Sequence, residues 1–110
     1  MNIENTKAQM RKGVLEYCIL SILARNEAYP SEIIDTLKEG KLMVVEGTLY
    51  PLLTRLKNMG VLTYRWEESR SGPPRKYYKL TELGHTFLKE LDDTWKELEQ
   101  AVKLTTRKTK

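Results

Sequence analysis

Between Gln9 and Ala24 the apolar residues Met10, Val14, Cys18 and Ile22 recur at every fourth position, and Leu15, Ile19 and Leu23 widen that row into a stripe. A period near 3.6 over this length predicts a largely buried helix. Tyr29-Pro30-Ser31 then punctuates the chain. Pro30 suits the first turn of a short second helix that buries Ile33, Ile34 and Leu37, and Gly40 is expected to end it. A third helix is predicted from Val45 or Glu46 up to Gly60, where Leu49, Leu52, Leu53, Leu56 and Met59 share one face.

Beyond Gly60 the pattern changes. Val61 to Glu67 is rich in β-branched and aromatic residues, Lys76 to Leu80 carries Tyr77 and Tyr78, and the turn-forming Ser69-Arg-Ser-Gly-Pro-Pro lies between them. This predicts a β-hairpin with a longer, proline-stiffened tip. Thr81 is placed to cap a last helix, along which Leu88, Leu91, Trp95, Leu98 and Val102 step alternately by three and four. So narrow a seam, flanked by Glu90, Asp92, Lys96, Glu97 and Glu99, suits a partner helix better than a broad core, and a homodimer is the simplest arrangement. The expected fold class is mainly α with a small β-hairpin (α+β). A winged helix-turn-helix, N-terminal helix included, would occupy residues 1–80, and a dimerisation helix with a basic tail residues 81–110.

Composition narrows the function. With 110 residues, 40% hydrophobic and 31% charged, the chain can fill one core and is too small for a two-lobed enzyme. Its one cysteine, Cys18, makes no intrachain disulfide, and Met1 to Lys12 lacks the apolar run of a secretory signal. The longest apolar stretch, Val14 to Ala24, is broken by Glu16 and Ser21 and falls short of a membrane span, so a cytoplasmic protein is expected. His85 and Cys18 lie on different helices, which argues against a metal site, and Gly-rich phosphate loops and nucleophile motifs are missing. Asp92 and Asp93 point apart on a helix, as do Glu67 and Glu68 on a strand. Neither catalysis nor a cofactor is expected.

The net charge of +4 is unevenly spread. Between Arg55 and Lys79 seven basic residues (Arg55, Lys57, Arg65, Arg70, Arg75, Lys76 and Lys79) face only Glu67 and Glu68, so this stretch carries +5 and the remainder −1. Three helices followed by a hairpin is the order of a winged helix, whose third helix enters the DNA major groove while the hairpin lies along the backbone. Clustered cations suit phosphates because neutralising them releases counterions, and Arg70, Arg75 and Lys76 surround the hairpin tip. On the third helix, Gly47, Tyr50, Pro51, Thr54 and Asn58 lie opposite the leucines, flanked by Thr48 and Arg55. Gly47 permits close approach, Thr48 and Thr54 can bond phosphates or bases, Tyr50 offers a hydroxyl and a flat face, and Arg55 can bond guanine or phosphate. Two alternatives stand beside this reading: Pro51 could merely shape the helix start, and Tyr50 could pack under the wing.

At this point the chain resembles the PadR family of bacterial transcriptional repressors over nearly its whole length. Two motifs carry the likeness. Glu46-Gly-Thr-Leu-Tyr-Pro-Leu-Leu-Thr-Arg-Leu-Lys-Asn-Met-Gly60 is similar to the family's recognition helix, and Gly72-Pro-Pro-Arg-Lys-Tyr-Tyr-Lys-Leu-Thr-Glu-Leu-Gly84 to its wing and helix entry. The resemblance implies a winged-helix dimer that binds a palindromic operator and represses a neighbouring efflux, detoxification or stress gene. It further points to the short, multidrug-responsive subgroup, some of whose members bind flat aromatic compounds between paired tryptophans of the last helix, where Trp95 falls at the matching place. The alternative for Trp95 is a seam residue that only fills the dimer core.

Two other functions fit the same fold: a winged-helix module that binds protein, and an architectural protein that binds DNA without sequence preference. The basic hairpin and the polar outer face of the third helix argue against the first, since protein interfaces are depleted of charge at their centre. Competition between an operator and bulk DNA separates the second. At the basic end, Lys103 to Lys110, Arg107, Lys108 and Lys110 could touch DNA or simply fray, and fraying is the expectation.

Overall fold

Asn2 starts the first helix, its side-chain oxygen accepting from the Asn5 N–H at 3.2 Å, one turn and more before the apolar stripe begins. The computed structural model describes residues 1–107, so Lys108 and Lys110 of the basic tail lie outside it. Its elements are α1 (Ile3–Arg25), α2 (Pro30–Glu39), α3 (Glu46–Asn58), β1 (Leu62–Ser69), β2 (Gly72–Leu80) and α4 (Glu82–Thr105). The start of α1 near Gln9, predicted from its stripe, is therefore late. Residues 1–10 are all exposed and carry no apolar face, so only the cap signals the true beginning.

One core joins every element. Ile19, Leu20 and Leu23 of α1 meet Ile33 and Leu37 of α2, Leu49, Leu53 and Leu56 of α3, Leu62, Tyr78 and Leu80 of the hairpin, and Leu88 of α4. Within the predicted α1 stripe it is the widening row, Leu15, Ile19 and Leu23, that is buried, together with Leu20. Met10 is exposed, and Val14, Cys18 and Ile22 are half-buried. Replacing a fully buried leucine such as Leu53 with alanine would cost about 2–5 kcal/mol through lost transfer energy and the cavity left behind.

Both α2 and α3 end in the same hydrogen-bond pattern, with one residue swung into the left-handed region. After α3 this is Gly60 (φ +84°), with Val61 N–H donating to the Leu56 carbonyl at 3.2 Å. After α2 it is Lys41 (φ +69°), with Leu42 N–H donating to the Leu37 carbonyl at 2.8 Å. Gly40, expected to terminate α2, keeps an ordinary φ of −84°. The second helix does stop there, but its side-chain-bearing neighbour takes the strained position.

The hairpin is antiparallel, with Leu62 opposite Leu80, Tyr64 opposite Tyr78 and Glu67 opposite Arg75. Its tip is tighter than predicted. The register shifts between Glu67 and Ser69, and Ser69 pairs with Gly72, so only Arg70 and Ser71 connect the strands. Pro73 and Pro74 thus lie within β2, where this bulge sets two residues against Glu68 and a missing N–H is tolerated. Ala28, in the link between α1 and α2, forms a bridge with Tyr78 and ties the hairpin to the helices through bonds of 2.9 and 3.0 Å.

Thr81 caps α4 as predicted. Its hydroxyl oxygen accepts from the Gly84 N–H at 3.0 Å and donates to the Gly60 carbonyl at 2.7 Å, joining the start of α4 to the end of α3. Leu88 and Leu91 pack into the core, whereas all residues from Asp93 to Arg107 are exposed. Among the described residues no helix is long and apolar enough to cross a membrane.

Candidate nucleic-acid interface

The outer face of α3 follows from its leucines. With Leu49, Leu53 and Leu56 pointing inward, Gly47, Thr48, Tyr50, Pro51, Thr54, Arg55 and Asn58 are left exposed. Pro51 lies more than one turn inside the helix rather than at its start, and it has no N–H to return to the Gly47 carbonyl. Gly47 itself has open space where a Cβ would stand. Together these two residues give the first turns of α3 a low, backbone-rich surface.

Tyr50 lies at the edge of that surface, facing the hairpin while remaining exposed. It lines a cleft of about 390 Å³ bounded by Tyr29, Pro30 and Ser31 at the start of α2, Glu46 of α3, and Trp66, Pro74, Arg75 and Lys76 of the hairpin. The Arg75 guanidinium stands 3.9 Å from the centre of the Tyr29 ring, and the Lys76 ammonium 4.6 Å from Tyr64 and 5.5 Å from Trp66. Cations held over aromatic faces keep their full charge while losing rotational freedom. The hairpin therefore presents its positive charge in fixed positions next to the exposed face of α3.

Two of the seven cations counted in the sequence are neutralised within the fold. Arg55 pairs with Glu16 of α1, and Arg65 pairs with Glu27 and Glu67 while covering the Tyr77 ring at 4.8 Å. Among the described residues, Lys57, Arg70, Arg75, Lys76 and Lys79 form no salt bridge. The free positive charge is thus concentrated on the hairpin.

The family model for the transcriptional regulator PadR-like family matches residues 19–90, which includes both the exposed face of α3 and the entire hairpin. The chain belongs to the PadR-like family of transcriptional regulators. A PadR-like transcription factor from Bacteroides fragilis is 61% identical, covers 93% of this chain and 99% of its own, and superposes with a TM-score of 0.79. A PadR family transcriptional regulator from Eggerthella lenta is 33% identical over 96% of this chain and 94% of its own, with a TM-score of 0.85. Transcriptional regulator YqjI of Escherichia coli is 31% identical over 94 residues; the match covers 83% of this chain and 44% of that protein. The chain spans less than half the length of this curated relative. The winged-helix fold and the mainly α class read from the sequence are those of the PadR-like structures.

Of the predicted site residues, the PadR-like fold brings Tyr50, Arg75 and Lys76 to one cleft and leaves Gly47, Thr48, Pro51 and Thr54 on the adjoining helix face. Arg70 stands apart at the tip, exposed. Arg55 is drawn toward α1 by its carboxylate partner. The five seam residues divide between two environments: Leu88 and Leu91 belong to the chain's own core, whereas Trp95, Leu98 and Val102 are exposed, with Trp95 6.3 Å from the ring of Tyr17. Sequence reasoning missed Tyr29 and Trp66, which wall the cleft, and Glu16 and Tyr17, which engage α3 and α4. Trp66 lies on an exposed position of a two-stranded hairpin, a signal that was present in the sequence; the others emerge only from tertiary packing.

Proposed function

We propose that this PadR-like regulator is a dimeric repressor that binds a palindromic operator, with α3 in the major groove and the hairpin along the phosphate backbone. The observation that carries this reading is the continuity of the exposed α3 face, Gly47 to Thr54, with the unpaired cations Arg75 and Lys76 across the Tyr50 cleft, while Arg70 extends the positive charge to the hairpin tip. A groove-reading surface needs small and polar groups that reach base edges, and beside it fixed cations that neutralise phosphates. Two copies joined through the exposed part of α4, Trp95, Leu98 and Val102, would set two α3 helices about one helical turn of DNA apart, roughly 34 Å. A flat aromatic effector seated between the paired Trp95 rings would change that spacing and release the operator.

The test is a titration of the purified protein against the DNA upstream of its own gene, with a scrambled duplex as competitor at physiological salt, followed by footprinting. A symmetric protected site that resists the competitor is expected. Equal binding to both duplexes would replace this reading with an architectural one, and no binding would move the search to a protein partner.

A further inference from the structure

Glu16 and Tyr17 are consecutive residues of α1, so their side chains leave the helix about 100° apart and reach different neighbours. Glu16 takes both of its contacts from the guanidinium of Arg55 on α3. Tyr17 donates its hydroxyl proton to the Asp92 carboxylate of α4 at 2.5 Å and lies against the Trp95 ring. Among the described residues these are the side-chain hydrogen bonds that join α1 to α3 and to α4. Both are long-range, separated by 39 and 75 residues in sequence. Ionic hydrogen bonds hold their partners in a narrower geometry than apolar contacts do, and the part-buried Tyr17–Asp92 bond is screened less by salt than the exposed Arg55–Glu16 pair.

We infer that Glu16 and Tyr17 are positioning residues that tie the placement of Arg55 on the reading face to the placement of Asp92 and Trp95 on α4. The inference rests on the DNA-reading role given to α3 above. Arg55 shares its helix face with Tyr50, Pro51, Thr54 and Asn58, so the direction of its guanidinium decides whether this face presents a cation to DNA. Glu16 sets that direction. Tyr17, one residue on, fixes the same stretch of α1 against α4, and a shift of α4 at Asp92 or Trp95 moves the backbone that carries Glu16. Coupling of this kind needs a contiguous chain of contacts between two elements, and here it is Trp95 and Asp92 to Tyr17, the peptide link to Glu16, and then Arg55.

The experiment is a double-mutant cycle in the full chain. Affinities for the upstream duplex and for a scrambled duplex are measured by fluorescence anisotropy for the native protein, D92N, R55A and the double variant. Asp92 and Arg55 do not touch, so independent effects would add. We expect D92N to lower the ratio of the two affinities about threefold or more in the native background and to leave it unchanged in the R55A background. A D92N effect of the same size in both backgrounds, or no effect in either, overturns the inference, since general loosening of α4 would act whether or not Arg55 is present. A second readout needs no DNA: the ¹H–¹⁵N signal of the Arg55 side chain, identified by its loss in R55A, should shift in Y17F and in D92N. If that signal stays in place the relay is refuted even where the native protein selects its operator. If the native protein selects no operator, the reading of α3 falls while the Arg55 signal still decides the relay.

Discussion

A Cβ atom on Gly84 would overlap the backbone carbonyl oxygen of Val61. The first turn of α4 thus passes directly over the entry to the hairpin, and only a residue without a side chain fits there. Gly84→Ala must move one backbone against the other, with Thr81 bonded on both sides of the junction. A loss of about 2–3 kcal/mol is expected, at the upper end for overpacking. Urea unfolding of the variant should show the midpoint lowered with an unchanged slope.

Gly47 gives the opposite outcome. Nothing lies within 4 Å of its would-be Cβ, and it occupies the first turns of a helix. Gly47→Ala should leave folding unharmed or stabilise it by about 0.5–1 kcal/mol. On the proposed reading the same methyl group holds α3 away from the groove and weakens operator binding. A higher melting temperature together with lower operator affinity is the expected pair of results; unchanged affinity would remove Gly47 from the interface.

The wing and the helix should fail in different ways. Arg75→Ala and Lys76→Ala remove unpaired cations, so each should weaken binding to every duplex and reduce the slope of log affinity against log salt by about one. Thr54→Ala removes a short polar group from the α3 face and should alter the preference between sequences with little change in salt slope. Titrations at several salt concentrations with two duplexes separate these outcomes.

Alkaline pH should reveal the contact between α1 and α4. The Asp92 carboxylate accepting its proton, followed by burial, pushes the Tyr17 hydroxyl from 10.0 up to about 12. A group whose pKa is raised by folding stabilises the native state while it stays protonated. That contribution is complete below pH 10 and is lost as the pH climbs from 10 to about 12. Chemical unfolding at pH 9 and above pH 11 should show a smaller loss for Tyr17→Phe than for the native chain. Equal losses would mean that Tyr17 titrates normally.

The seam on α4 divides by consequence. Leu88 is 9% exposed and Leu98 50%. Leu88→Ala should destabilise the fold by about 2–5 kcal/mol, whereas Leu98→Glu should leave the fold of one copy intact and, on the proposed reading, abolish the dimer. Light scattering combined with thermal melts distinguishes the two.

That division also marks how far the sequence could be read. The alternation of three and four from Leu88 to Val102 is continuous, because a helix repeats its face regardless of what covers it. Periodicity therefore located α4 and its stripe without revealing that Leu88 and Leu91 face the chain's own core. Elements with strong apolar period, turn residues and caps, such as α3 and the Thr81 start of α4, were legible to within a residue or two. The first turns of α1 were not, since residues 3 to 9 bury nothing, and neither was the position of Pro73 and Pro74 inside a strand, since proline also suits turns. The cationic wing was legible from charge alone. The pairing of Arg55 with Glu16 was not, because 39 residues separate them and nothing local specifies it.

The paired prolines of β2 have one more effect. A two-stranded sheet leaves both of its outer sides open to further pairing, and at high local concentration such a ribbon can recruit a neighbour and polymerise. Here Ala28 already occupies the β2 side at Tyr78, and Pro73 and Pro74 supply no donors nearer the tip. An incoming strand would find little ladder to extend along β2. Recruitment of a further strand is thereby confined to the β1 side of the ribbon.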